Sequence, residues 1–560
     1  MSEFNEAMRS AAELRAAVGE QLTGYDAATW RAALGDRNMR SPVMALALLE
    51  SAPDWERLQR RFDRLTRVIP VLRERPMTGF VGVSAPRLGV DPDFDLDVHL
   101  RRIALPKGTG FESVLAEGRR MSLTDFDLER PLWEACLVEG LPDGRAALLL
   151  KLHHAIADGQ AAVIMAANLF EFTPEGNPDE PEAPPAPTVP RPRLRDISRA
   201  NLADNVKRGA GFASMAARVL AQLAAGTIKD PVTTWTETAN FVGSVGRFVA
   251  VPDGPMSELM AARCTTYHFA VLAVPFPSIR AASKRLDSSV NDVFMAAVAT
   301  GMAHYHERHD QPAEQLRFNL PISLRKAVKA DAANAVTIAR FPLPVSGSSI
   351  EERVEAAHEA VRRWRDEPAL IMANPLADAS WLMPVPILAN VARASDVTTS
   401  NVPGPPFPLY LAGVQALGMW PLVATIGAAV NVTMVTYAGT ACIGISADDL
   451  AVPDLQLLID DLRQGFTDVI GEPVLPLDTT KIQVQARAAA APEPAAKKAS
   501  AKKAPATKKA PAAKKAPAAK RTTAKAAVAG SPAKTKSPAT KTATAKKPAT
   551  KRASAAAPKA

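Results

Sequence analysis

Lys151 to Gly159 reads KLHHAIADG. Two adjacent histidines, His153 and His154, precede three apolar residues, then Asp158 and Gly159. The run before them, Ala146 to Leu150, is apolar and reads as a buried strand. Neighbouring side chains of a strand point to opposite faces, so only one of the two imidazoles can face a given cleft. Histidine titrates near neutrality, and a neutral imidazole can take a proton from a hydroxyl. A strand that ends in imidazoles and turns on an aspartate therefore suits general-base catalysis. The competing reading is a pair of buried histidines that only pack, and the spacing alone leaves it open.

Working outward, the flanks carry further motifs. Phe94 to Arg101 reads FDLDVHLR and Glu129 to Leu141 reads ERPLWEACLVEGL. In the second half, Ser289 to Val293 reads SVNDV, Asn319 to Arg325 reads NLPISLR, and Ser400 to Pro405 reads SNVPGP. The histidine stretch resembles the HHxxxDG motif of CoA-dependent acyltransferases, which include chloramphenicol acetyltransferase-like enzymes and peptide-synthetase condensation domains. With PLW, ND and SNVPGP in the same order, the chain resembles the bacterial wax ester synthase/diacylglycerol acyltransferase family over roughly residues 20–470, outside a linker.

The resemblance implies an α/β fold of two chloramphenicol acetyltransferase-like subdomains, with the active-site tunnel between them. It implies His154 as general base, with His153 supporting the strand and Asp158 fixing the turn at Gly159. Arg325 would pair with Asp158 across the two halves, or else sit solvated on the surface. Asn291 and Asp292 either line the tunnel or cap a helix start. Pro131, Leu132, Trp133, Asn401, Pro403 and Gly404 are candidates for the tunnel wall. For Trp133 the preferred reading is core packing over substrate contact, and Pro403 to Pro405 suits a plain rigid turn in which Gly404 allows close backbone approach. Acyl-CoA is expected as co-substrate, with no cofactor and no metal. His304, His306 and His309 match no metal-ligand spacing and read as surface residues. Two segments depart from the family's pattern. Leu22 to Asp26 reads LTGYD where a form like LSPLD is usual, and Asp253 to Arg263 lacks an arginine-rich form.

Composition bounds the rest. At 560 residues with 47% hydrophobic content, the chain is a folded protein of more than one domain. The formal charge of +9 hides an asymmetry. Residues 481–560 hold twenty-one Lys and Arg against one acid, which leaves about −11 for residues 1–480. An acidic body gives no charge support for nucleic-acid binding by the body itself. Three scattered cysteines, Cys136, Cys264 and Cys442, fit a reducing cytoplasm and no disulfide framework. The N-terminus MSEFNEAMRS carries no apolar core and does not read as a signal peptide. Leu422 to Val435 is the best membrane-span candidate, and it is too short.

Along the chain, four segments are expected. Residues 1–172 form the N-terminal subdomain, with residues 1–85 reading as helical. Residues 173–260 hold a Pro-rich, extended linker (Thr173 to Pro192) and a helical stretch. In that stretch Phe212, Met215, Ala216, Val219, Leu220 and Leu223 form an apolar stripe beside Lys207, Arg208, Arg218 and Lys229. The stripe packs on the core or seats on a lipid surface. Residues 261–480 form the C-terminal subdomain, with helices at Ser278 to Leu286 and Val290 to His304. It also holds a hairpin from Val430 to Ser446 that turns near Ala438-Gly439, and a final amphipathic helix over 454–470. Residues 481–560, with repeated KKAPA units, read as a disordered basic tail.

The function expected is transfer of a long-chain acyl group from acyl-CoA to diacylglycerol or a fatty alcohol, in the cytoplasm at a membrane or lipid-droplet surface. The tail would bind anionic lipid or DNA. Two rivals stand beside it. One is a degenerate acyltransferase fold that binds DNA or lipid surfaces through its tail. The other is a condensation-type or polyketide-associated acyltransferase.

Overall fold

Ala146–His153 forms the strand that its apolar run implies, and almost every residue of it is buried. It lies near the middle of the first of two six-stranded sheets in the computed structural model, which describes residues 14–79, 84–156, 159–229, 243, 254–323, 336–367, 384–482 and 484. Asp158, Arg325 and the basic tail lie outside the described residues.

In chain order the first half supplies strands β1 (Glu20–Gln21), β2 (Pro42–Leu49), β3 (Glu74–Met77), β4 (Arg87–Val90), β5 (Leu100–Ala104), β6 (Trp133–Glu139) and β7 (Ala146–His153). Its helices are α1 (Gly24–Gly35), α2 (Trp55–Val68), α3 (Phe111–Leu123) and α4 (Gly159–Leu169), followed by the long α5 (Leu194–Lys229). The second half supplies β8 (Tyr267–Pro275), β9 (Gln315–Ser323), β10 (Val336–Pro344), β11 (Val397–Val402), β12 (Tyr410–Leu411), β13 (Val414–Val423), β14 (Val430–Tyr437) and β15 (Thr440–Asp448). Its helices are α6 (Phe276–Arg285), α7 (Val290–Arg308), α8 (Ile350–Arg365), α9 (Val385–Arg393) and α10 (Leu455–Ile470).

The first sheet runs β12-β13-β2-β7-β6-β5 and the second β10-β9-β11-β14-β15-β8, with β1-β4-β3 as a small third sheet. The first sheet is therefore not made by the first half alone. β13 pairs antiparallel with β2, placing Trp420 opposite Leu46. In the second sheet β11 runs parallel to both β9 and β14.

Strand alternation divides the second sheet's faces between two cores. Leu272, Phe318, Val432 and Ile443 pack with Phe294 and Phe466 of α7 and α10. Phe269, Tyr437 and Cys442 belong instead to the core of the first half, with Phe62, Trp133 and Trp420. The sheets meet at β13. The Trp420 indole N–H donates to the Leu272 carbonyl at 2.9 Å, and Ser446 Oγ donates to the Val423 carbonyl at 2.6 Å. A Cβ on Gly444 would lie 1.6 Å from the Pro421 carbonyl oxygen, so only glycine permits this approach.

Several expectations are corrected here. Pro42–Leu49 falls in the region read as helical, yet it is a central strand. Leu422 to Val435 is the end of β13, a turn and most of β14, not one helix. No helix among the described residues is long and apolar enough to cross a membrane. Thr173 to Pro192 holds no helix or strand, but it is tied to the body. Glu180 pairs with Arg61 at 2.7 Å and with Arg64 at 2.9 Å. The apolar-stripe side chains of α5 beyond Gly211 lie outside the described residues. His306 is buried, not on the surface, because α7 is enclosed nearly all round and the ring bonds Ser257 Oγ at 2.9 Å.

Candidate active site

β7 hands its last residues to a single 3-10 turn, His154–Ile156. Three backbone bonds fix that end. The His153 N–H donates to the Leu132 carbonyl at 3.0 Å, the His154 N–H to the Ser41 carbonyl at 3.1 Å, and the Ala424 N–H to the Pro42 carbonyl at 3.2 Å. The PLW segment thus acts on the histidines through its backbone. Its side chains go elsewhere: Pro131, Leu132 and Trp133 are all buried. Trp133 stacks on His99 at 4.7 Å and on Phe62 at 5.8 Å, and its indole donates to the Leu72 carbonyl.

The two imidazoles meet different surroundings. His153 is 7% exposed, and its Nδ1 accepts the Ala155 N–H at 3.1 Å. An accepting Nδ1 leaves the proton of the neutral ring on Nε2. Burial, helped by the His154 and Lys151 charges, pushes the His153 pKa down to about 3, so the ring stays neutral near pH 7. Trp30 and Phe126 flank it at 5.2 and 5.7 Å. The ring borders a cavity of about 220 Å³, also lined by Leu34, Ser41, Ser122 and Leu128. Lys151 sits two residues back on the same face, fully buried. Its ammonium donates to the Thr124 carbonyl at 2.9 Å and to Glu134 at 3.1 Å, and lies 3.9 Å from the centre of the Phe126 ring. Burial lowers the Lys151 pKa, against the pull of Glu134.

His154 is half-buried and points to the other side, edge-on to the Tyr25 ring at 5.7 Å. Burial raises the Tyr25 phenol above its ordinary value, while Arg340 of β10, an electrostatic neighbour from the second half, pulls it back. The His154 imidazole thus packs on a phenol whose electrostatic neighbour is a guanidinium from the second half.

Models of two consecutive domains match this chain: the wax ester synthase/diacylglycerol acyltransferase catalytic domain over residues 22–294, and the C-terminal domain of the same family over residues 332–469. A relative from Mycobacterium tuberculosis, named as a diacylglycerol O-acyltransferase, is 30% identical over 450 residues, covering 77% of this chain and 88% of its own. The chain belongs to the wax ester synthase/diacylglycerol acyltransferase family. It is an acyltransferase. A second M. tuberculosis relative named for the same activity is 28% identical over 468 residues, covering 80% of this chain and 94% of its own. The solved wax ester synthase/diacylglycerol acyltransferase of Marinobacter aquaeolei VT8 superposes with a TM-score of 0.50 at 24% identity, over 78% of this chain and 95% of that one. The first condensation domain of the calcium-dependent antibiotic synthetase gives 0.52 at 17%, over 82% and 98%. The expected fold class holds, and both matches concern the fold alone.

The remaining family motifs are distributed along the acyltransferase. Asp292 is buried at the start of α7, where Ser289 is the N-cap. Its carboxylate accepts the Ser289 N–H and the His358 ring, both at 3.0 Å, as the acid of a capping box. Asn291 contacts Met295 Sδ at 3.3 Å. Asn401 lies in β11 opposite Met434. Just beyond Pro403, the Gly404 N–H donates to Thr436 Oγ1 at 2.9 Å, and a Cβ there would lie 2.1 Å from the Thr436 carbonyl oxygen. Gly159 opens α4, and Asp158 and Arg325 lie outside the described residues. Sequence reasoning passed over Tyr25, Trp30, Phe126, Lys151 and Arg340. For Lys151 a signal existed: its place two residues before His153 puts both on one strand face.

Proposed function

We propose that this chain transfers a long-chain acyl group from acyl-CoA to the free hydroxyl of diacylglycerol, with a fatty alcohol as second acceptor, and that His154 is the general base. The observation that carries the reading is the division of labour between the histidines. The Nδ1 of His153 is occupied by the Ala155 N–H, and burial keeps the ring neutral, so it suits a scaffold. His154 is only half-buried, edge-on to Tyr25, and this partial exposure suits it to meet an incoming hydroxyl.

In the reaction the acceptor hydroxyl gives its proton to His154, and its oxygen bonds to the thioester carbonyl carbon. The tetrahedral intermediate then collapses, the C–S bond breaks, and the proton on His154 passes to the CoA thiolate. The thioester is already activated, so acid–base help suffices and acyl-CoA is a co-substrate. Asp158, as the last acid of HHAIADG, would hold the turn rather than act as a base.

The lipid substrates call for a surface. On α5, Leu202 and Val206 stand exposed with Arg199 on the same side, while Asn201 and Asp204 face the body, where Asp204 pairs with Arg87 at 2.6 Å. That outward face suits seating on a membrane or lipid droplet.

The test is His154→Ala in the full chain, assayed with palmitoyl-CoA and dioleoylglycerol by product chromatography. Turnover should fall by about 10²–10⁴, the usual share of acid–base catalysis, with an unchanged circular dichroism spectrum. Retained turnover in the folded variant would remove His154 from the mechanism.

A further inference from the structure

A row of polar residues crosses the second sheet. Arg340 of β10 lies opposite Asn319 of β9, Asn319 opposite Thr398 of β11, Thr398 opposite Asn431 of β14, and Asn431 opposite Ser446 of β15. Their strand neighbours Ala339, Phe318, Val397, Val432 and Ile445 face the second core. By alternation the polar row faces the first half.

One end of the row is closed. Ser446 donates to the Val423 carbonyl, and Asn431 donates to the Ala424 carbonyl at 3.2 Å. The other end is different. Asn319 is held by Ser395 Oγ at 2.9 Å, but Thr398 and Arg340 are only half-buried. Arg340 Nε is shielded from solvent and has no hydrogen-bond partner among the described residues. Its electrostatic neighbour from the first half is Tyr25, whose ring packs on His154. Arg317, on the same face, only repels it.

A shielded guanidinium with an unused donor calls for an acceptor oxygen. Of the acceptor alcohols, a fatty alcohol brings only the hydroxyl that His154 would engage. Diacylglycerol brings two ester carbonyls within a few bonds of that hydroxyl. We propose that Arg340 is a specificity-determining residue whose guanidinium takes an ester carbonyl of the glycerolipid acceptor, so that the site favours diacylglycerol over a simple fatty alcohol. The inference rests on the reading of His154 as the base of alcohol acylation, and it assigns the acceptor-side polar contact of that same site.

The experiment compares the full-length wild type with Arg340→Met and Arg340→Lys, using palmitoyl-CoA and three acceptors: dioleoylglycerol, the matching dialkyl ether glycerol, and hexadecanol. Arg340→Met should lower kcat/KM for dioleoylglycerol about 10- to 100-fold, the range for losing a hydrogen bond to a charged group. The rise should fall mainly on KM. Hexadecanol should change less than about twofold, and Arg340→Lys should recover part of the loss. Wild type should prefer the diester to the diether by about tenfold or more, and Arg340→Met should not. Equal use of diester and diether by wild type overturns the proposal without needing any variant to fold. So does a parallel loss toward all acceptors in Arg340→Met, which would put the guanidinium on the acyl donor. Failure of the base reading looks different: His154→Ala would keep its turnover while wild type still discriminated among acceptors.

Discussion

Two imidazoles one residue apart differ because one peptide unit turns them to opposite sides of β7. His153 is enclosed by Trp30 and Phe126 near a buried ammonium, and its pKa falls from the ordinary 6.5 to about 3. The sign of the linkage follows. Between about pH 6.5 and 3 the unfolded chain binds a proton at this position that the fold refuses. Stability is therefore fully present above pH 6.5 and is lost as pH falls through that window, by up to a few kcal/mol. His153→Asn keeps an acceptor at the Nδ1 position for the Ala155 N–H and cannot titrate. It should cost about 1 kcal/mol at pH 7.5 and flatten the decline of melting temperature between pH 6 and 4. An acid limb identical to wild type would show that His153 does not carry this proton. At this scale the motif was legible, since HHAIADG marks its own strand end. Tyr25 and Arg340 were not. One lies in LTGYD, where the family pattern weakens, and the other in a strand more than three hundred residues away in the chain. Only the fold brings Tyr25 to His154 and Arg340 into the field of Tyr25.

Elements with strong local signals were readable. Val430–Tyr437 and Thr440–Asp448 form the hairpin whose turn carries Ala438 and Gly439, both at positive φ. Leu455–Ile470 forms the expected amphipathic helix. β2 was not readable, because PVMALALL is apolar throughout and shows no alternation even though Val43 and Ala45 are not buried, while Ala, Leu and Met favour helix. The β13–β2 pairing was hidden for another reason: no local pattern reports a partner so far along the chain. That pairing presses β13 against β15, where Gly444 meets Pro421. Gly444→Ala places a methyl 1.6 Å from a backbone carbonyl oxygen that no rotamer change can move. It should destabilise the protein by about 1–3 kcal/mol or more, as overpacking does, read as a lower melting temperature. A melting temperature equal to wild type would mean that the two sheets can part at this seam without loss.

For the whole molecule, charge is divided between body and tail. The body carries about −11 and the last eighty residues about +20. The described chain continues past Thr480 before that basic sequence begins. Arg145 donates to the Thr480 carbonyl at 2.9 Å and Gln415 to the Val484 carbonyl at 3.2 Å, while Ile482 and Val484 pack on the first core. A clean truncation therefore falls after Ala486 rather than at Thr480. An acidic body is repelled by an anionic membrane, whereas each lysine near such a surface gains about 1 kcal/mol at moderate salt. The outward face of α5 adds apolar contact that salt does not screen. The full chain should float with phosphatidylglycerol vesicles at low salt and be largely released at about 0.5 M salt, where the Debye length shrinks to a few ångströms. The chain ending at Ala486 should lose the salt-sensitive part of flotation and keep its kcat with hexadecanol dispersed in detergent. Leu202→Asp with Val206→Asp should instead reduce the salt-resistant part. If the truncated chain floats as well as the full one, the tail does not hold the enzyme on lipid. A DNA shift by the full chain, lost on truncation, would then assign those lysines to nucleic-acid phosphates.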